Sequence, residues 1–218
     1  MKRSFDVLFA LAGLSLLAFP FTIIGLAIKL SSRGPVFFRQ ERIGRGGKPF
    51  WFYKFRTMYV GESGPLITAG GDPRITPIGQ LLRRWKLDEL PQLCNILFGK
   101  MSVIGPRPEV ERYVCHYTAE QRRLLEQTPG LASLSQLVYP HESEILRNYP
   151  NPETIYVQEL MPRKLAVDLD YESYRTFWSD LRLLAEIALL VAGKSYRVDT
   201  DFFPASPKTN SQGIPTKS

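Results

Sequence analysis

The stretch of this chain best suited to chemistry is Leu87-Asp88-Glu89-Leu90-Pro91-Gln92-Leu93, where two adjacent carboxylates stand between apolar residues. Neighbours on a helix sit about 100° apart, so Asp88 and Glu89 can serve one site without both facing solvent. A carboxylate nucleophile needs a second acid or base group and a nearby cationic field. Shortly downstream, Met101-Ser102-Val103-Ile104-Gly105-Pro106-Arg107-Pro108-Glu109 places Arg107 between two prolines. Their fixed φ lowers the entropy lost in presenting the guanidinium, which suits holding a phosphate in place. The alternative for the Asp-Glu pair is a structural one, helix-end charge complementing the macrodipole.

These residues must be positioned by the elements around them. Gly34-Pro35 is a turn signal, and Val36 to Arg39 reads as a short strand. It leads into the basic, Gly-rich run Arg42-Ile43-Gly44-Arg45-Gly46-Gly47-Lys48. Its glycines either admit a phosphate close to the backbone or make an ordinary hairpin turn; no P-loop Lys-Ser/Thr ending follows. Phe50 to Met58 reads as a second strand, with Lys54 and Arg56 on one face by period-two alternation, a solvated face being the alternative for that pair. Thr68 to Pro77 is a polar loop. Ile78 to Lys86 resumes helical periodicity, with Leu81, Leu82 and Trp85 as its apolar side and Arg83 and Arg84 carried toward the Asp-Glu block. Thr118 and Gln121 make a capping-box start for a short basic helix ending before Pro129. Tyr156 to Leu169 and Ser179 to Ala192 read as helices, the second with Gly193 as its stop signal. Its apolar run is too short to span a bilayer, so it packs on the core or lies at an interface. Pro204 to Ser218 is polar and rich in Pro, Ser and Thr, and is expected to be disordered.

Across 218 residues, 44% are hydrophobic and 22% charged, which excludes both a disordered chain and a polytopic membrane protein. The net charge of +7 calls for an anionic partner: nucleic acid, an acidic lipid surface or a phosphorylated substrate. Cys94 and Cys115 are too few for a disulfide framework, and with His116 and His141 they lack zinc-ligand spacing; a reducing compartment fits. The uncharged run from Val7 to Ile28, about 22 residues, would reach roughly 33 Å as one straight helix, enough to cross a bilayer. It is longer than the core of a cleaved signal peptide. Basic residues flank both ends: Lys2 and Arg3 before it, and Lys29, Arg33, Arg39 and Arg42 after it. A single crossing concentrates positive charge on its cytoplasmic side, so charge on both flanks places both ends there. Pro20 removes a backbone hydrogen bond inside the run, and a bend there lets the segment enter the membrane and turn back; one kinked spanning helix is the other reading.

Together these blocks resemble the monotopic phosphoglycosyl transferases, also called bacterial sugar transferases, over roughly residues 2–190. The resemblance rests on Lys2-Arg3-Ser4-Phe5-Asp6, the proline-bent apolar segment, Gly34-Pro35-Val36-Phe37-Phe38-Arg39-Gln40, Lys54-Phe55-Arg56-Thr57-Met58, Asp72-Pro73-Arg74-Ile75-Thr76, the Asp88-Glu89 block and Gly105-Pro106-Arg107-Pro108-Glu109, all in order. It implies two-step phosphoryl transfer from a nucleotide diphosphate sugar, with a UDP-sugar the expected donor, to polyprenyl (undecaprenyl) phosphate at the cytoplasmic face of a bacterial inner membrane. This is the first membrane step of glycan assembly. Asp88 matches the nucleophile and Glu89 its partner, with Mg2+ beside Asp88 and with Lys54, Arg83 and Arg107 at positions that supply cations to the phosphates.

The resemblance also implies an α/β (α+β) architecture: a re-entrant helix over 1–33, a compact, mostly helical cytoplasmic catalytic domain with a small β-hairpin over 34–200, and a disordered tail over 201–218. Membrane lipids are partners, nucleic acid is not, and a dimer is left open, as are the sugar, the nucleotide base and the pathway. After Pro129-Gly130 the chain departs from the common pattern, reading Leu131-Ala132-Ser133-Leu134-Ser135-Gln136-Leu137-Val138-Tyr139 with no arginine before Arg147. That withholds any carried-over phosphate contact from this region and points to a different sugar preference. Two competing readings remain: a non-catalytic basic membrane-surface or nucleic-acid-binding protein, and a direct-displacement transferase without a covalent intermediate.

Overall fold

The computed structural model describes residues 2–61 and 64–193, so the tail expected over 201–218 lies outside the described residues. The first element, α1 (Lys2–Ser31), is a single 30-residue helix that passes through Pro20 without ending. Both of its ends are held by the rest of the chain. Near the start, Arg3 donates to the carbonyls of Ile96 and Leu97 at 2.6 and 2.9 Å, and buried Asp6 accepts from Ser102 Oγ and the Val103 amide at 3.0 and 2.9 Å. Near the end, Phe21 packs edge-on against Phe55, and Ile28 is buried with Phe55 and Leu82. The outward side leaves Leu8, Leu16, Phe19, Ile23, Leu26 and Leu30 exposed. A contiguous apolar face of that kind marks an interaction surface, and its length and composition fit membrane association.

The hairpin β1 (Phe37–Ile43) and β2 (Pro49–Phe55) is antiparallel, with Phe38 opposite Lys54 and Gln40 opposite Phe52. β1 is longer than the Val36–Arg39 strand expected from sequence, because its alternation continues to buried Ile43, whose amide bonds to the Glu109 carbonyl at 2.8 Å. The Gly-rich run is the hairpin turn: Gly46 and Gly47 have φ of 70° and 71°, and the Gly44 amide bonds to the Lys48 carbonyl. Arg56 corrects the expected pairing with Lys54. It lies past the end of β2, is buried, and donates to the carbonyls of Arg33 and Ser32 at 2.7 and 2.9 Å, satisfying acceptors at and just past the end of α1.

After the loop, α2 (Pro77–Arg84) is capped by Thr76, whose hydroxyl accepts from the Gly79 amide. Of its expected apolar side only Leu82 is buried; Leu81 and Trp85 are half exposed, because α2 touches the core along one narrow stripe. α3 (Gln92–Leu97) follows, then β3 (Ser102–Ile104), α4 (Glu111–Val114) and a 3-10 stretch, Gln121–Glu126, opened by the Thr118–Gln121 capping box. β4 (Gly130–Ala132) pairs in parallel with β3, a contact too short to show in a periodicity. Then come α5 (Leu134–Val138), α6 (Glu142–Arg147), α7 (Pro152–Ile155), a π-turn at Tyr156–Leu160, α8 (Met161–Tyr174) and α9 (Phe177–Val191). α9 buries Leu183 and leaves Phe177, Trp178, Leu181 and Leu189 facing outward, while Gly193 follows with φ 77°.

Gly79 fixes how closely α2 approaches the chain leaving β2. A Cβ there would stand 2.1 Å from the Thr57 carbonyl oxygen, a backbone atom with no freedom to retreat. Gly79→Ala is therefore expected to displace α2, to cost about 1–3 kcal/mol and to lower the thermal midpoint by several degrees. An unchanged melting curve would contradict this packing.

Candidate active site

Asp88 and Glu89 lie on a 3-10 turn, Leu87–Glu89, rather than on an α-helix. Lys86 before it has φ 54°, the single non-glycine residue in the left-handed region among the described residues. That conformation costs about 1–2 kcal/mol for an L-residue. It reverses the chain between α2 and α3 and turns both carboxylates inward, leaving Asp88 5% and Glu89 7% exposed. Asn95 on α3 pins this unit to β2, donating to the Trp51 carbonyl at 2.7 Å and accepting from the Tyr53 amide at 3.2 Å.

Glu89 is enclosed by two cations. Arg107 grips it with both terminal nitrogens, Nη2 to Oε1 at 2.6 Å and Nη1 to Oε2 at 3.1 Å, and Lys54 Nζ bonds to Oε1 at 2.9 Å. Burial pushes the Glu89 carboxyl upward, but Arg107 and Lys54 outweigh it and hold the group well below the usual carboxylate range. Burial in turn lowers the Lys54 ammonium against the pull of Glu89. Arg107 is held above its ordinary value: burial works to lower it, and Glu89 overrides that.

Asp88 is treated differently. Its closest cation is Lys54 at 3.9 Å, and no hydrogen bond to its carboxylate is formed among the described residues. Burial raises its carboxyl above the usual aspartate range, with Lys54 opposing and Glu89 adding to the rise. The site therefore pairs one neutralised, locked carboxylate with one under-coordinated carboxylate in a positive field. That is the electrostatic setting a nucleophile facing an anionic phosphoryl group requires.

Of the cations expected from sequence, Lys54 and Arg107 converge on Glu89 rather than standing unengaged for phosphate. Arg83 donates from Nε to Thr57 Oγ1 at 2.9 Å; burial lowers its guanidinium, while Asp88 and Asp72 act to raise it. In the preceding loop Arg74 pairs with Asp72, its Nη2 2.6 Å from Asp72 Oδ2, and also donates to the Pro65 carbonyl at 3.1 Å. Pro20 lies within the apolar helix α1, apart from these side chains.

Sequence reasoning missed the residues that hold Arg107. Arg42, in the run read as a phosphate loop or a turn, donates to the Pro108 carbonyl at 2.5 Å and stacks on Phe52 at 4.5 Å. The Tyr156 hydroxyl donates to Glu109 Oε1. Gln92 is fully buried with neither amide atom hydrogen-bonded among the described residues, so its place beside the dyad is not explained by stability. The charge of Arg42 and the aromatic character of residue 156 were visible in sequence, but their partners are 66 and 47 residues away.

A family model for bacterial sugar transferases matches residues 1–194. The chain belongs to that family. It is 39% identical over 202 residues to a UDP-glucose:undecaprenyl-phosphate glucose-1-phosphate transferase of Caulobacter vibrioides, a match covering 89% of this chain and 72% of the relative. It is 37% identical over 194 residues to the protein of the same name in Escherichia coli (strain K12), covering 84% of this chain but 38% of that relative. An exopolysaccharide production protein of Rhizobium leguminosarum bv. phaseoli is 49% identical over 151 residues, or 63% of this chain. The chain thus spans most of the length of some relatives and little more than a third of others.

The locked pair has a measurable signature. Arg107→Met leaves Glu89 buried with one cation and is expected to destabilise the fold by about 3–5 kcal/mol. Adding Glu89→Gln should recover part of that loss, because the unpaired charge is gone. Simple additivity of the two changes in chemical denaturation would contradict the pairing.

Proposed function

We propose that this protein transfers a phosphosugar from a nucleotide diphosphate sugar, a UDP-sugar in our reading, to undecaprenyl phosphate through a covalent intermediate on Asp88. The observation that carries this reading is the asymmetry of the dyad. Glu89 is held as an anion by three hydrogen bonds, while Asp88 at the same depth accepts none among the described residues. In the purely structural alternative Asp88 would be expected to find a donor, since a buried carboxylate without one is costly. Relatives named for glucose-1-phosphate transfer to undecaprenyl phosphate support the same chemistry.

In the first step an Asp88 oxygen bonds to the sugar-bearing phosphorus, and the bond from that phosphorus to the bridging oxygen breaks. The nucleoside monophosphate leaves with that electron pair. In the second, a phosphate oxygen of the polyprenyl acceptor attacks the same phosphorus, and the acyl-phosphate bond breaks to restore the Asp88 carboxylate. Lys54 and Arg107, fixed by Glu89, offset the charge that gathers as carboxylate meets diphosphate, and Arg83, on whose guanidinium Asp88 acts, adds to the same field.

Mg2+ belongs to this proposal. Among the described residues no three His, Cys, Asp or Glu side chains gather into a metal cage. That suits magnesium, which is commonly held by one or two carboxylates with substrate phosphates and water. Asp88, the carboxylate no donor occupies, is the candidate ligand; when bound, the ion would neutralise diphosphate charge.

The location proposed is the bacterial inner membrane, with α1 re-entering from the cytoplasmic face. The basic flanks, Pro20, and the attachment of both ends of α1 to one catalytic domain support this. It brings Asp88 close to a lipid-borne phosphate.

Purified protein incubated with UDP-sugars, magnesium and undecaprenyl phosphate is expected to release UMP and form lipid-linked phosphosugar, and chelation by EDTA should stop both. Asp88→Asn should abolish turnover while the protein stays folded; near-normal activity would refute the covalent route. Topology is checked with single cysteines at positions 4 and 31, in place of Ser4 and Ser31, with Cys94 and Cys115 replaced. A membrane-impermeant thiol reagent on intact cells should label neither, and labelling at 4 alone would reject re-entry.

A further inference from the structure

The segment from Ser133 to Arg147 is tied into the fold from two sides. At its start, Asp168 on α8 accepts from the Ser135 amide at 2.9 Å and from Ser135 Oγ at 2.8 Å. At its end, Lys164, one turn earlier on α8 and buried, bonds to Glu142 Oε2 at 2.5 Å. The backbone of α6 also reaches the loop that flanks Arg83, because the Gly70 amide donates to the Ser143 carbonyl at 2.8 Å. Helix α6 thus bridges α8 and the loop carrying Asp72 and Arg74.

Glu142 is linked through Lys164 and Tyr156 to the loop that carries Arg107. Lys164 sits over the Tyr156 ring at 5.5 Å, and the Tyr156 hydroxyl bonds to Glu109, two residues from Arg107. The Glu142 charge acts on Arg107, and Lys86, beside the dyad, acts on Glu142. Burial would raise the Glu142 carboxyl, but Lys164 and then Arg107 hold it below the usual glutamate range, so it is an anion at neutral pH. Only Oε2 is engaged; Oε1 accepts no hydrogen bond among the described residues, and the side chain keeps 30% of its surface open. The transfer chemistry has no use for a third carboxylate near the phosphates, since it repels them. A fixed acceptor with one open lone-pair face suits a sugar hydroxyl.

We propose that Glu142, held by Lys164, accepts a hydrogen bond from a hydroxyl of the donor's sugar and thereby helps set which hexose is transferred. This rests on the transfer activity proposed above. An analogue with the hydroxyl missing or inverted leaves the carboxylate unpaired, so discrimination comes from the unmet acceptor more than from shape. Removing a hydrogen bond to a charged group of about 1.5–3 kcal/mol corresponds to roughly a 10- to 150-fold effect.

The test measures kcat and KM for UDP-glucose, UDP-galactose, UDP-N-acetylglucosamine and UDP-N-acetylgalactosamine, with undecaprenyl phosphate, using the full-length protein and its variants. Glu142→Gln is expected to lower kcat/KM for the preferred donor at least tenfold and for the poorest donors far less, flattening the ratio. Glu142→Asp keeps the charge for Lys164, guards against loss of fold, and should flatten the ratio in the same direction by withdrawing the acceptor. A uniform fall for all donors, or unchanged ratios in Glu142→Asp with normal melting, would overturn the specificity role and leave the transfer activity standing. No turnover of any donor by the unaltered protein would overturn both.

Discussion

A buried glutamate gripped by an arginine and a lysine is the constraint on which the rest of this structure depends. Taking Glu89 out of water costs several kcal/mol unless well-placed partners compensate. The partners come from three separate parts of the chain: Lys54 from β2, Glu89 from the turn between α2 and α3, and Arg107 from the Pro-Arg-Pro loop. Each must arrive in register. Asn95 ties the turn to β2, Arg42 holds the Pro108 carbonyl, and Lys86 accepts a left-handed backbone to aim the carboxylates inward. Once Glu89 is satisfied, Asp88 shares the positive field without a hydrogen bond of its own. Under the transfer proposed here, a structural role for Glu89 and a chemical role for Asp88 would be two consequences of one arrangement.

The same logic links the site to the membrane. Arg3 bonds to the last carbonyls of α3, the helix that begins just after the dyad, and Arg56 bonds to carbonyls at and just past the end of α1 two residues after Lys54. The apolar helix is thus joined at both ends to elements that carry or flank the candidate site residues. Its outward leucines, isoleucine and phenylalanine form an exposed apolar face that fits membrane association.

Much of this was legible in the sequence because it is local. The apolar run with Pro20, the two-strand hairpin, the capping box at Thr118 and the last helix, expected to end at Ala192, follow from periodicity and capping chemistry, and the Asp88–Glu89 and Arg107 motifs stood out by residue type; the helix expected over Tyr156 to Leu169 instead runs as α8 to Tyr174. What escaped depends on distance. The mate of Arg107 is Glu89, so the arginine presented by its prolines serves a carboxylate before any phosphate. Arg56 looked like one of a pair of strand cations, yet it caps a helix 24 residues earlier. Leu81 and Trp85 fit a helical stripe but remain half exposed, since periodicity identifies a face without saying how much of it is covered. The parallel β3–β4 contact was invisible for the same reason: two three-residue strands carry no pattern, and only their pairing defines them.

The most direct measurement is isotope exchange in the absence of acceptor. Labelled UMP is incubated with the purified protein, magnesium and the UDP-sugar it turns over, and label is followed into the UDP-sugar pool. A covalent phosphosugar on Asp88 makes the first step reversible on its own, so label should enter the donor, and should fail to do so with Asp88→Asn. Exchange that appears only when undecaprenyl phosphate is present, in a protein that turns over normally, would contradict the two-step route and assign the transfer to direct displacement.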